Sequence, residues 1–262
     1  MNNIKYKLKK IIPYKLRHLI RKTIDFILYP YFFLRYLYIY VEIKIDSIRG
    51  KKIIIKCDDL CGMTNKVIKL DKIIKKYKMK VSWGVIGYSL ESPSPNYKNF
   101  LLEPNNTYHF FNHGYYHNVG PNDYEFDGPA ESDQYELIIK TNELYNNITK
   151  KKLNTFGAPC NHIDNNTNLA LSRIPDIKFW YYGKDNESNT NLIRSLNIET
   201  DVGCPNFKFF IEQVRNTKII NNPLILQCHP NVFEKKHFLE LKLIIRFLLK
   251  NNCKFITPDD LI

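Results

Sequence analysis

KKIIIKCDDL, residues 51–60, begins as an apolar, β-branched run with charged residues on both sides. Such runs are typical of buried strands, and we predict a strand over residues 51–57. Two adjacent carboxylates, Asp58 and Asp59, follow this strand directly. The next stretch, residues 65–78, is predicted to be a helix. The sequence therefore opens a strand–helix unit with two carboxylates at the carboxyl end of its strand.

The same alternation of strands and helices continues to the end of the chain. It is typical of a parallel sheet or barrel with helices packed on its outer face. We count about seven strands, one short of a closed eight-stranded barrel. The sequence therefore predicts an α/β fold, a distorted or incomplete (β/α) barrel. The further predicted strands are residues 81–87, 107–112, 153–159, 177–182, 223–230 and 253–257, the further helices are 133–148, 167–173 and 235–250, and residues 88–106, with three prolines, are predicted to be a loop.

The positive charge of the chain is concentrated near its N-terminus. The formal net charge is +13 over 262 residues, and 44% of the residues are hydrophobic, which is enough for a sizeable core. Residues 1–50 hold eleven Lys and Arg against three acidic residues, a net of +8, so residues 51–262 carry only +5. A basic tail on a nearly balanced domain indicates a local contact with anions such as lipid head groups and argues against a nucleic-acid partner. We therefore predict an N-terminal segment at 1–50 and a globular domain at 51–262.

The N-terminal segment is basic first and aromatic later. Residues 5–22 alternate Lys and Arg with apolar residues, and residues 24–43 form an apolar, aromatic run, whereas a membrane span needs roughly 20 apolar residues. Three charged residues and Pro30 interrupt that run, and a central charge costs a spanning helix roughly 2.5–3.5 kcal/mol. We predict a helical extension that lies on an anionic membrane surface, with a true span and a helix packed on the domain as the alternatives.

Two further observations bear on the compartment. No small-residue cleavage site follows the apolar run, so we expect the protein in the cytoplasm, peripheral to the inner membrane of a bacterium. The six cysteines form no C-x-x-C pair, which is typical of reduced thiols in a cytosolic protein. Cys57 and Cys61 are four residues apart, which leaves a zinc site there as an alternative.

Histidines follow two of the other predicted strands. His113-Gly-Tyr-Tyr-His117 comes after one, and imidazoles four residues apart can reach a single ion. His229 closes a late strand, which suits a general acid. Acidic pairs and single histidines are each often structural. Because the carboxyl ends of parallel strands share one edge, however, Asp58 and Asp59 would meet these histidines there, and together they predict a catalytic site with a first-row metal.

With these motifs, residues 51–262 resemble the polysaccharide deacetylases, also named the NodB-homology or carbohydrate esterase 4 family. The resemblance implies a barrel-shaped catalytic domain with Asp58 as the base and Asp59, His113 and His117 as metal ligands. It implies His229, in LQCHP, as the acid, and the closing FITPDDLI is similar to the family's last strand and cap. The implied cofactor is a divalent metal, Zn²⁺ or another first-row ion. The implied reaction removes an N-acetyl group from a sugar. The predicted membrane-surface segment adds the expectation that this sugar belongs to the biosynthesis of a surface glycan such as lipopolysaccharide or capsule.

The sequence departs from the family pattern in its third motif, where TFGAPCN has Gly157 in the place of an arginine that orients the base. No clear partner for the catalytic histidine is present either, and Trp180 and Asp201 are the candidates. The predicted substrate-binding residues are Asn161 and Pro159, beside the third motif, and Glu131, after the second.

Two other functions remain open from the sequence. A metal-dependent phosphoesterase would explain Asn112 and His113, but no early D-x-H or late G-H-x-H completes a two-metal site. A non-catalytic glycan-binding or assembly protein would retain the barrel and lose the metal. The metal content of the purified protein separates this last function from a deacetylase.

Overall fold

The predicted first strand forms as β1, Lys52–Leu60, in which Ile53, Ile54 and Ile55 are buried. The computed structural model describes residues 46–103, 106–118, 123–183 and 189–262, which lie in one compact unit, Ile45–Ile262. The other strands are β2 Val81–Val85, β3 Tyr108–Asn112, β4 Thr155–Phe156, β5 Phe179–Tyr181, β6 Thr190–Leu192, β7 Leu224–Cys228 and β8 Lys254–Phe255. The helices are α1 Asn65–Tyr77, α2 Pro95–Leu102, α3 Glu131–Thr149, α4 Asn165–Ser172, α5 Phe207–Asn216 and α6 Lys235–Lys250.

The strands form one sheet whose pairs are parallel, in the order β6-β5-β4-β3-β2-β1-β7, and β8 pairs with β1. A parallel bridge between Arg194, just after β6, and Ile225 in β7 connects the two ends of this order. The sheet is therefore curled into a distorted (β/α) barrel, and the predicted fold is confirmed. β1 pairs with β7 in register from Ile53 to Cys57, so Cys57 lies opposite Cys228 and their sulfur atoms are 3.5 Å apart.

Three elements differ from the sequence-based expectation. β6 is short and polar, and no alternation of apolar residues indicates it. The predicted loop at 88–106 contains α2, because Ser94 accepts a hydrogen bond from Tyr97 N and Pro95 occupies the first turn, which is a favourable helix start. The prediction of a loop over the whole stretch is therefore wrong. The amphipathic α5 was also not predicted.

Side chains alternate between the two faces of each strand, and this alternation separates an inner from an outer hydrophobic cluster among the described residues. One cluster joins residues of β1, β3, β5, β6 and β7, which come from both ends of the sheet and therefore meet inside the curl. A second cluster lies between the outer face of β4 and β5 and the helices α3 and α4. The inner cluster comprises Ile54, Phe111, Phe179, Tyr181, Leu192 and Ile225.

Most of the predicted N-terminal segment, residues 1–45, lies outside the described residues. Its last residues pack on the domain: Ile48 is buried, and Gly50 N donates to Asn251 O at 2.9 Å. In the part of the chain that the structure describes, no helix combines the length and apolar character needed to cross a bilayer. The predicted membrane contact of residues 1–50 stays a prediction.

Candidate metal centre

Three chain segments bring the candidate residues to one edge of the sheet. Asp58 and Asp59 lie near the carboxyl end of β1, His113 follows β3, and His229 follows β7. These strands are parallel, and β1 is the neighbour of β7 and, through β2, of β3. Their carboxyl ends therefore converge at the mouth of the barrel, where enzymes of this architecture place their reactive groups.

Asp59, His113 and His117 form a tight cluster at this mouth. Asp59 Oδ1 lies 2.8 Å from His117 Nε2 and 3.2 Å from His113 Nε2. One potential ligand atom of each residue lies within 4.8 Å of the others. Both Asp59 and His117 have positive φ angles, 63° and 62°, which are uncommon outside glycine and are often found at functional sites. Within the residues that the structure describes, this trio alone gathers three such donors.

The orientation of His113 suits a metal ligand. Its Nδ1 lies 2.6 Å from Gly157 O, and a carbonyl oxygen only accepts hydrogen bonds, so Nδ1 carries the proton. Nε2 then presents its lone pair towards Asp59. A backbone carbonyl behind the ring is the usual arrangement for a metal-binding histidine. Two imidazoles and one carboxylate therefore fit a first-row divalent ion with open positions.

The loop between the two histidines is held by Glu125. The Glu125 carboxylate is buried and accepts hydrogen bonds from three consecutive backbone N–H groups, those of Tyr115 and Tyr116 at 2.8 Å and that of His117 at 2.6 Å. These bonds fix the turn that brings His117 back to His113. Glu125 thus acts on the cluster through the backbone.

The carboxylate of Asp58 lies beside the metal cluster, 3.9 Å from His113 Nε2, and is held from the inner side of the barrel. It is 1% exposed, and both of its oxygen atoms accept from Lys56 Nζ, at 2.6 and 2.5 Å. Gln227 Nε2 donates to Asp58 Oδ2 at 2.5 Å, while Arg194 donates to the Gln227 carbonyl oxygen and so fixes the orientation of that amide. Asp58 is therefore held by two donors on its inner side.

The charges around the two carboxylates keep both ionised. Burial raises the pKa of Asp58, but Lys56, His113 and His229 outweigh it, and the pKa lies below its ordinary value. Burial likewise raises the pKa of Asp59, but its hydrogen bonds to the two histidines of the cluster lower the pKa by more, so the pKa lies well below its ordinary value. An ionised Asp59 is the form that binds a cation, and an ionised Asp58 is the form that accepts a proton.

His229 is paired with a carboxylate that the sequence did not reveal. Its Nδ1 lies 2.7 Å from Glu199 Oε2, and its backbone N–H donates to Glu199 Oε1 at 2.9 Å. His229 Nε2 faces the other way and lies 3.7 Å from Asp58 Oδ2. Burial lowers the pKa of His229, but Glu199 and Asp58 more than offset it, so the pKa is raised. The ring is thereby favoured in its protonated form, as a general acid requires.

The residues proposed for substrate binding are distributed differently. Pro159 is buried beside the metal loop, since a Cβ added to Gly114 would lie 2.7 Å from Pro159 Cγ. Asn161 ends the short 3-10 helix Pro159–Asn161, and its buried Oδ1 has no hydrogen-bond partner among the residues that the structure describes. The described contacts do not bring Glu131 to this mouth: it begins α3, and its carboxylate accepts from Arg173 at 2.6 Å.

The sequence patterns do not reveal five supporting residues, namely Lys56, Glu125, Arg194, Glu199 and Gln227. Lys56 could have been found, because residues i and i+2 of a strand share a face and Lys56 is two before Asp58. Glu199 and Glu125 lie in irregular segments, where spacing predicts no direction. Trp180, suggested as a partner of the histidine, instead packs in the outer cluster, and the Asp201 carboxylate accepts from Val202 N. The alternative zinc site does not form, because Cys57 is buried against Cys228 while Cys61 is exposed.

Comparisons with known proteins identify the fold. BA3943 from Bacillus anthracis, a CE4 family pseudoenzyme, matches with a TM-score of 0.58 and 14% identity over 81% of this chain and 65% of that chain. A family 4 acetyl xylan esterase from Clostridium thermocellum, in complex with a cobalt ion, matches at 0.58 and 15% identity, covering 80% and 90%. Peptidoglycan deacetylase PdaC from Bacillus subtilis matches at 0.56 and 15%, covering 83% and 92%.

These identities are low, so the matches establish the fold that the chain shares with these proteins. The chain spans about two thirds of the length of BA3943 and most of the length of the other two. No family model matches the sequence, and a search of curated proteins gives no match.

Proposed function

We propose that this chain, which has the fold of the CE4 polysaccharide deacetylases and esterases, is a metal-dependent deacetylase of an N-acetylated sugar. One observation carries the proposal: at one mouth of the barrel Asp58 Oδ2 lies 3.9 Å from Nε2 of His113 and 3.7 Å from Nε2 of His229, so that a carboxylate base adjoins the metal cluster and a histidine acid adjoins the base. A binding protein alone would need neither the base nor the acid.

The metal would be held by Asp59 Oδ1, His113 Nε2 and His117 Nε2. Zn²⁺ or another first-row divalent ion bound there would act as a Lewis acid towards an amide carbonyl and would lower the pKa of a bound water. The donor set of one carboxylate and two imidazoles is one that such ions accept. The neighbouring acetyl xylan esterase, solved with a cobalt ion, supports the same class of cofactor.

The protein's own residues supply the proton transfers. Asp58, ionised and next to the metal ligand Asp59, takes a proton from the attacking water. His229, kept protonated by Glu199, gives a proton from Nε2 to the amine as it leaves. Because Nδ1 of His229 is bound to Glu199, the transferable proton faces Asp58 and the mouth of the barrel. The products are acetate and an amino sugar.

The biological setting is the less constrained part of the proposal. We propose a sugar of surface-glycan biosynthesis, lipopolysaccharide or capsule, as the substrate, and a cytoplasmic location at the inner membrane. The basic, aromatic composition of residues 1–50 supports this location, since such segments bind anionic lipid surfaces. Sedimentation of the full chain with anionic and with neutral vesicles tests it, and equal binding to both would contradict it.

Acetate release tests the reaction. The purified chain is incubated with N-acetylglucosamine oligomers, nucleotide-linked N-acetyl sugars and acetylated xylan, with and without a chelator. We expect release from at least one N-acetyl sugar, loss of release with the chelator, and recovery on addition of Zn²⁺ or Co²⁺. A protein that binds these glycans and one equivalent of metal but releases no acetate would instead be a non-catalytic relative, as BA3943 is described to be.

A further inference from the structure

Lys56 is the most unusual charged residue in the interior of the barrel. It lies on the inner face of β1, between Ile54 and Asp58, and its side chain is 0% exposed. A lysine is rarely buried to this extent, because its ammonium group loses all hydration and must find compensation within the protein. The only charge-matched acceptor that Nζ contacts in the described structure is Asp58, to both of whose oxygen atoms it donates.

Three aromatic rings also lie around the Lys56 ammonium group. Its Nζ lies 5.3 Å from the ring centre of Phe111, 5.7 Å from that of Tyr181 and 5.2 Å from that of Tyr182. Aromatic faces stabilise a desolvated cation and also exclude water from it. The Lys56 side chain therefore has one defined position, with its end directed at the Asp58 carboxylate.

Gly157 provides the room for this position. A Cβ added at Gly157 would lie 3.3 Å from Lys56 Cε, 3.0 Å from Phe111 Cε2 and 3.2 Å from Tyr181 Cβ. All three contacts are tighter than ordinary van der Waals separation. The lysine side chain at position 56 therefore packs into space that the missing side chain at position 157 leaves free. The cation beside the base comes from β1, and the segment after β4 leaves the space.

We propose that Lys56 is a positioning residue for Asp58 and that it occupies the space which Gly157 leaves open. The proposal rests on the proposed deacetylase function. Lys56 fixes the carboxylate so that one face stays turned to the mouth of the barrel. It also balances the negative charge of a base that is otherwise buried. The supposed gap at Gly157 is then no sign of an inactive site, because the positive charge is supplied from another strand.

A double-mutant cycle with the base separates this role from a purely structural one. The four proteins are the wild type, Lys56→Met, Asp58→Asn and Lys56→Met/Asp58→Asn. A fifth, Lys56→Gln, retains a polar end and covers the case in which Lys56→Met does not fold, and Lys72→Met, exposed on α1, is the control. Each is tested for kcat, KM, metal content and melting temperature, with the best N-acetyl sugar of the panel as the substrate.

We expect Lys56→Met to lower kcat about 100-fold, within the range that a base contributes, with KM and metal content close to wild type. The kcat of Lys56→Gln should lie between that of Lys56→Met and that of the wild type. In the Asp58→Asn background the same change should alter kcat less than about 3-fold, because the residue acts only through the carboxylate. Lys72→Met should behave as the wild type.

Two results would overturn the proposal. Full kcat in a folded, metal-loaded Lys56→Met or Lys56→Gln protein would show that the base needs no such partner. An equal loss with and without Asp58 would show that Lys56 acts elsewhere. A wild type that releases no acetate from any substrate would reject the proposed function, and with it the role of Lys56, whereas an active wild type with unaffected Lys56 variants would reject this inference alone.

Discussion

His229 Nε2 lies 3.7 Å from Asp58 Oδ2, across the end of the β1–β7 strand pair. The two groups have opposite charges in their favoured forms, since the pKa of Asp58 is lowered and that of His229 is raised. Each therefore supports the protonation state that the other needs. The same pair would exchange charge during a reaction in which Asp58 gains a proton and His229 loses one.

The two adjacent aspartates are expected to separate binding from catalysis. Asp58→Asn should reduce kcat by roughly 10²–10⁴-fold while the protein keeps its metal, because Asp59 and the histidines are untouched. Asp59→Asn should lose the metal and the activity together. Metal analysis and acetate release on the same preparations check both. The opposite pattern, with metal lost in Asp58→Asn, would show that the roles of the two residues are exchanged.

Glu199 is expected to set the basic limb of the pH profile. Its hydrogen bond raises the pKa of His229 and so keeps the ring protonated to higher pH. Glu199→Gln removes the negative charge, so the pKa of His229 falls and the fall of kcat/KM on the basic side should begin at lower pH. Profiles of kcat/KM between pH 5 and about 10 measure the shift, over the range in which histidine titrates. Glu212→Gln, exposed on α5, is the control and should leave the profile unchanged.

Glu125 is expected to control metal affinity. Glu125→Gln removes the negative charge that all three backbone N–H groups of the loop bind, and its NH₂ group cannot accept, so at least one of them loses its acceptor and the His117 ring is held less firmly. A loss of roughly 10–100-fold in metal affinity is typical when such a supporting group is removed. Titration of the metal-free protein with Zn²⁺ measures it, and excess metal should restore activity. Glu131→Gln, whose carboxylate pairs with Arg173, should bind metal as the wild type does.

Two leucines of α4 give a matched test of the outer core. Leu171 is 0% exposed in the cluster between α4 and the sheet, whereas Leu169, two residues earlier, is 49% exposed. Leu171→Ala should lower the free energy of unfolding by about 2–5 kcal/mol, because it leaves a cavity. Leu169→Ala should change it by less than about 0.5 kcal/mol. Urea unfolding measures both, and equal losses would contradict the packing described for α4.

The sequence was sufficient to predict the barrel and its carboxyl-end cluster, because both depend on local patterns. Apolar runs identify the strands, and parallel strands bring the residues that follow them to one edge. The residues Asp59, His113 and His117 could therefore be placed together without a structure. Their proximity in space follows from the order of the strands in the sheet, which the alternation of strands and helices already restricts.

The supporting residues depend on geometry that spacing does not contain. Glu199 reaches His229 from an irregular segment 30 residues earlier, and Glu125 reaches the metal loop from a turn. The cation near Asp58 was expected at position 157, and the structure places it at Lys56 instead. The absence of a side chain at one position gave no sign of which neighbour would use the space.

The pairing of Cys57 with Cys228 has a consequence for how this site tolerates change. Each cysteine immediately precedes a reactive residue, Asp58 or His229, and the two are opposite each other on neighbouring strands. The position of the base relative to the acid, measured along the strands, is thus set by main-chain hydrogen bonds rather than by the loops that follow the strands. Loops at the rim could lengthen or shorten during evolution without changing that position. A single residue inserted before Asp58 would turn its carboxylate to the helix-covered side of the sheet, and the acid would face an empty position.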